Sequence, residues 1–284
     1  MRPQQLLDQR ANQLVHRLYP TATIMQVQRL IGGSSAETIA IELQLSDGSR
    51  IKRILRRLSK RTLQRNPNAA AEQFQILQLV RSLGVNAPAP FAYDAASLLI
   101  DYIDGQPTYH PTNVIACVQQ IAVQLATIHK IDGNQPTLSP LPRQTHQLPH
   151  LSSRNRPSLL HGDFWPGNLL WRDNQLVAVI DWEDARVGDP LADLAISRFD
   201  VCFIFGRNAL HHFTQTYLQY NPLDTHHLPE WDLYACARIL DSMPNWATGW
   251  AEMGRPDITE TTIREAHHWF SAQATGSMLL YNCN

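Results

Sequence analysis

The chain has 284 residues, 44% hydrophobic and 17% charged, which is enough for one large domain or two small ones around a sizeable core. Its four cysteines, Cys117, Cys202, Cys236 and Cys283, contain no C-x-x-C pair, which argues against structural zinc and a disulfide framework and fits a reducing cytoplasm; the polar start and the lack of an apolar run near 18 residues argue against a signal peptide or a membrane span. The net charge of −1 hides an asymmetry, because residues 1–160 hold 17 basic and 9 acidic groups and residues 161–284 hold 7 and 16. A basic first part suits an anionic ligand, and an acidic second part suits a metal cation or a cationic small molecule.

In chain order, the spacing of Leu7, Ala11, Leu14, Val15 and Leu18 predicts an amphipathic helix over 4–19, ended by Tyr19-Pro20. Two strands, 24–31 and 38–45, flank the small-residue turn Gly32-Gly33-Ser34-Ser35. Asp47-Gly48 is a hairpin signal, and 51–55 reads as a third strand. Alternation puts Lys52, Ile54 and Arg56 on one face of that strand. From Arg50 to Arg65 there are eight Lys/Arg and no acid. Without interleaved aromatics or a binding motif this run reads as a solvated loop rather than a nucleic-acid surface. A helix over 67–83 opens at Asn66-Pro67, carries Glu72 early and closes at Leu83-Gly84. An extended Ala87-Pro88-Ala89-Pro90 leads to a strand over 98–103. A helix over 113–131 follows, with His129 near its end, and then a long surface connection over 132–158.

The next stretch carries the chemistry. Residues 161–168 read His161-Gly162-Asp163-Phe164-Trp165-Pro166-Gly167-Asn168, and the apolar run Val177-Ala178-Val179-Ile180 ends on Asp181-Trp182-Glu183. Between them Arg172-Asp173-Asn174-Gln175 is a hairpin signal. Phosphoryl transfer needs a carboxylate to orient and deprotonate a hydroxyl, and oxygen donors to hold magnesium against phosphates. Asp163 and Asn168 have the D-x-x-x-x-N spacing of a kinase catalytic loop. Asp181, at the end of an apolar strand, completes a sufficient donor set, since magnesium takes few protein oxygens.

H-G-D-x-x-x-x-N, I-D-W-E and G-D-P-x-x-D-L-A, in that order, resemble the aminoglycoside phosphotransferase (choline kinase-like) family. The resemblance implies an α+β, two-lobed protein-kinase-like fold. A small lobe with an antiparallel sheet would occupy 1–103, and a larger, mainly helical lobe 104–284. It implies ATP or GTP as donor, Mg2+ as cofactor and a small molecule as hydroxyl acceptor, with an amine-bearing one suited to the acidic second half. Asp163 would be the base and Asn168 and Asp181 the metal ligands. His161 would brace the loop, and Asp193 would hydrogen-bond its backbone. Gly33, Ser34 and Ser35 would cover the nucleotide, where glycine admits close backbone approach to phosphate. Arg56 aligns with the phosphate-binding lysine of kinases, with Lys52 as the other candidate, and Glu72 would hold that cation. Asp101, Tyr102 and Ile103 would offer hinge backbone to the nucleotide base.

After Ala195 the chain reads helical over 196–220, 229–253 and 258–281, punctuated by Pro222, Pro229 and Pro256. Trp246 and Trp250 lie one helical turn apart, a spacing that serves either an aromatic box for a quaternary amine or core packing. Two other classes of function stay open at this point. One is a non-catalytic nucleotide-binding or partner-binding module. The other is a nucleic-acid binder acting through 50–65.

Overall fold

The computed structural model of the chain describes residues 7–30, 36–144, 153–240 and 243–281. It divides into two compact units, Met1–Asp104 and Gly105–Asn284.

The N-terminal unit opens with α1 (Gln9–Leu18), capped by the Asp8 carboxylate, which accepts from the Ala11 amide at 2.8 Å. Strands β1 (Thr23–Leu30), β2 (Ala36–Gln44), β3 (Arg50–Leu58), β4 (Pro90–Tyr93) and β5 (Ser97–Asp101) pair antiparallel in the order β1-β2-β3-β5-β4. The buried stripe of α1, Ala11, Leu14 and Val15, meets Ile39, Ile41, Leu43, Leu55 and Leu99 in one core. The predicted turn at Gly33, Ser34 and Ser35 lies outside the described residues.

β3 is longer than the expected 51–55. Charged side chains usually end a strand, but here they find partners on its neighbours. Arg53 Nη1 lies 3.2 Å from Asp101 Oδ1, and Arg57 Nη1 lies 2.8 Å from Glu37 Oε2. The expected loop after it is instead a short helix, α2 (Lys60–Arg65), because Ser59 Oγ accepts from the Thr62 amide and nucleates a turn. α3 (Ala69–Ser82) starts two residues later than expected. The Asn66 side chain takes the Asn68 amide at 3.0 Å and holds Pro67 in a turn ahead of the helix.

In the C-terminal unit α4 (Val114–His129) buries Val118, Ile121, Leu125 and Ile128. Short strands β6 (Ser158–Leu160) and β9 (Arg186–Gly188) pair antiparallel. β7 (Leu169–Arg172) and β8 (Gln175–Val179) form a hairpin whose turn residues Asp173 and Asn174 have φ of 51° and 61°, the geometry of a two-residue primed turn. α5 (Pro190–Phe205), buried nearly all round, is the axis on which α6 (Arg207–Tyr220), α7 (Leu228–Ala237) and α9 (Glu260–Tyr281) pack. The helix expected over 196–220 breaks at Gly206, whose φ of 89° no helix accommodates. The one expected over 229–253 also fails, giving α7, which ends at Ala237, and a single turn, α8 (Met243–Trp246). The described part of the connection expected over 132–158 is packed, not loose: Leu138 and Leu141 are buried, and Gln144 N donates to Val187 O at 2.7 Å.

Cys117, Cys202 and Cys236 are free and buried, and burial pushes their thiols up to about 12, 11 and 12. Among the described residues no helix is long and apolar enough to cross a membrane.

Candidate active site

The loop after β6 is tied down by a carboxylate from α5. Asp193 is 1% exposed; its Oδ2 accepts from the His161 amide at 2.6 Å and its Oδ1 from the Gly162 amide at 3.0 Å. Burial would raise this carboxyl, but the hydrogen bonds from His129 and the His161 amide outweigh it and hold it below the ordinary range. His129 Nε2 stands 3.5 Å from Asp193 Oδ2, and its Nδ1 lies 2.6 Å from the Tyr217 hydroxyl. Ser197, one turn after Asp193, donates to Phe164 O at 2.6 Å. Thus α4, α5 and α6 all fix the loop.

Gly162 has φ of 87°, and a Cβ there would run into the Asp184 backbone oxygen. This is a close approach that only glycine allows.

His161 joins the loop to the end of β8. The Asp163 amide donates to His161 Nδ1 at 3.3 Å, so the ring hydrogen sits on Nε2 and is donated to Ile180 O at 2.9 Å. Asn168 makes the complementary link. Its Nδ2 donates to Asp163 O at 2.9 Å and to Asp163 Oδ2 at 3.3 Å, and its backbone oxygen accepts from the Ile180 amide at 2.9 Å. Asp181 follows directly, with φ of 64° and ψ of 59°. This left-handed conformation is tolerated by Asp better than by most residues. Asp163, Asn168 and the start of Asp181 are therefore held in one hydrogen-bonded assembly.

The Asp163 carboxyl is raised above its ordinary value, first by burial. His161 and Arg238 oppose the shift, and Asp184 and Asp181 add to it. Arg238, at the end of α7, places Nη2 3.7 Å from Asp163 Oδ1. With Asn168 Nδ2 committed to Asp163, its Oδ1 remains as a hard donor, and the Asp181 carboxylate comes from the residue after Ile180, whose amide bonds the Asn168 backbone oxygen. Two such oxygens fit magnesium, which retains waters and needs no closed cage. Among the described residues no group of three His, Cys, Asp or Glu forms such a cage.

In the N-terminal unit Arg56 lies on β3 opposite Thr38 and Leu98. Lys52 Nζ stands 5.2 Å from the centroid of the Tyr102 ring, and Asp101 pairs with Arg53. Ile103 follows β5 in the chain. Glu72, in the first turn of α3, accepts from Asn66 Nδ2 at 2.6 Å. Trp246 and Trp250 pack 6.1 and 5.7 Å from Phe203, and Trp250 is 4% exposed, which is the packing of a core.

Sequence reasoning missed Ser197, Asp200 and Arg238. The first two had a signal, since they lie four and seven residues after Asp193 on a helix that is apolar apart from these and Arg198. Arg238 had none.

An antiparallel-sheet unit, a helical unit and a loop built around H-G-D-x-x-x-x-N define a phosphotransferase of protein-kinase-like fold. The chain belongs to the phosphotransferase enzyme family, whose sequence profile matches residues 26–151 and 140–234. It is similar in structure to a macrolide 2′-phosphotransferase type I, with a TM-score of 0.60 and 14% identity over 93% of this chain and 98% of that one. It is also similar to the ADP-bound aminoglycoside phosphotransferase APH(2″)-Ib, with a TM-score of 0.58 and 16% identity over 94% and 99%. By sequence it is 26% identical over 192 residues to mouse acyl-CoA dehydrogenase family member 10, covering 51% of this chain and 18% of that protein. The chain thus spans less than a fifth of that relative's length.

Proposed function

We propose that the protein is a small-molecule kinase that transfers the γ-phosphoryl group of ATP or GTP to a hydroxyl of a small acceptor. The observation that supports the reading is the tie of Asn168 to both Asp163 and Ile180, which links the loop to the strand end just before Asp181. Asp163 takes the hydroxyl proton as the acceptor oxygen bonds the γ-phosphorus and the bond to the β–γ bridging oxygen breaks. Its raised carboxyl is a better proton acceptor than an ordinary aspartate, but in a loose transition state its chief contribution is orientation. Asn168 and Asp181 hold magnesium, which when bound offsets charge on the phosphates. His161 and Asp193 keep the loop in place. From the N-terminal unit, Arg56 serves as the phosphate cation with Glu72 to steady it, and Lys52 is the other candidate. Gly33, Ser34 and Ser35 cover the phosphates, and backbone near Asp101, Tyr102 and Ile103 takes the base. A reducing compartment such as the cytoplasm suits the free cysteines.

The test is ADP release from MgATP, and GDP release from MgGTP, across amino alcohols, aminoglycosides, sugars and hydroxy acids. Turnover that depends on an acceptor supports the reading. A wild-type enzyme that binds MgATP and MgGTP but turns over with none of these acceptors points instead to a binding module.

A further inference from the structure

We infer that Arg238 and Asp200 form an acceptor subsite beside Asp163, in which the Arg238 guanidinium anchors a carboxylate on the same small molecule that presents its hydroxyl to the base. This deepens the kinase reading and rests on it.

The first observation is an unsaturated guanidinium. Arg238 Nη2 is 3.7 Å from Asp163 Oδ1, within ion-pair range but too long for a hydrogen bond. Its five N–H groups donate to no protein acceptor among the described residues. Arg238 is exposed, whereas the more enclosed arginines of this unit are engaged. Arg198 holds both oxygens of Asp232 at 3.0 Å and also bonds Thr214, and Arg255 holds Asp257 and the carbonyls of Tyr109 and Ile204. A planar fork left open next to the base matches a carboxylate, which accepts two parallel bonds.

The second observation is Asp200, 2% exposed, with no hydrogen-bond partner among the described residues. It sits on α5 two turns after Asp193, the helix against which α7 packs. Burial first, then the charge of Asp163, push its carboxyl well above the ordinary value, and Arg238 opposes them. In its neutral form Asp200 is a donor. A cation and a neutral donor that both act on Asp163 suit an anion, and the cation disfavours an ammonium group through like charge. Asp184 and Asp181 also act on Asp163, so the preference for an anion belongs to the Arg238 position and not to the whole surroundings of the base. The geometry also limits size. A hydroxyl about 3 Å from Asp163 and a carboxylate about 3 Å from Arg238 lie at most about 10 Å apart, a chain of roughly three to six carbons.

The experiment compares hydroxy acids of roughly three to six carbons with amino alcohols of equal length, reading ADP release from MgATP. The hydroxy acids are turned over with kcat/KM at least about tenfold higher. Arg238→Gln raises KM for the best hydroxy acid about 30-fold, Arg238→Lys recovers part of that, and the MgATP Kd by calorimetry does not move. Asp200→Leu raises the same KM about tenfold, and Asp200→Asn, which keeps a donor, recovers most of it. The inference is overturned if amino alcohols are preferred, if no hydroxy acid promotes ADP release from an enzyme that binds MgATP, if Arg238→Gln weakens MgATP, or if Asp200→Asn is as damaging as Asp200→Leu. A wild-type protein that binds no MgATP overturns the kinase reading itself, and this inference with it.

Discussion

At the scale of single residues, the site is an arrangement of oxygens whose neighbours are already chosen. Asn168 gives its Nδ2 to Asp163, so one side chain orients the proposed base and keeps its carbonyl oxygen for the proposed metal. Asp163→Ala should lower kcat by about 10²–10⁴ while calorimetry still detects MgATP binding; full turnover in this variant removes the residue from the role of base. Asp181→Ala should abolish the magnesium dependence of ATP binding, and an unchanged MgATP affinity counts against it as a ligand. Asp163, Asn168, Asp181 and Asp193 were legible because one short loop and its flanking strand and helix fix their spacing. Arg238 was not, because it reaches Asp163 only through the packing of α7 on α5, which no local pattern encodes. Glu72 was readable as an acid early in a helix, but its Asn66 partner depends on the turn that delays α3.

At the scale of elements, α5 organises the helical unit, and its Asp193 is the point where packing meets chemistry. Asp193→Asn should destabilise the protein by about 3–5 kcal/mol at neutral pH, as removal of one partner from a buried charged network does. The folded carboxyl is held below its unfolded value. Its contribution is therefore complete above the unfolded value and disappears as pH falls through the folded one. Urea unfolding of wild type and variant should converge on acidification below the usual carboxylate range. A gap that stays constant refutes the linkage. Gly206→Ala, forcing a side chain to φ of 89° between α5 and α6, should cost about 1–2 kcal/mol and lower the melting temperature by several degrees. The strands and most helices were legible from periodicity. Their ends were not, where acids on neighbouring strands let β3 continue through arginines, where Ser59 nucleated α2, and where Gly206 interrupted an apolar pattern that would otherwise run on.

At the scale of the molecule, the chain divides into a sheet-based and a helical unit, and the kinase reading takes residues from both. MgATP at about 100 times its Kd should then add about 2.7 kcal/mol to stability in a thermal scan, and Asp181→Ala should remove the magnesium-dependent share. The helical unit also carries its own reporter. Cys117, Cys202 and Cys236 are enclosed as protonated thiols, so an alkylating reagent finds no thiolate until the surrounding helices separate. In a Cys283→Ser background, the rate at which iodoacetamide labels each position becomes a clock for how often that part of the interior breathes. A bound acceptor should slow the clock at Cys202 and Cys236, on the two helices that carry Asp200 and Arg238 toward it, more than at Cys117.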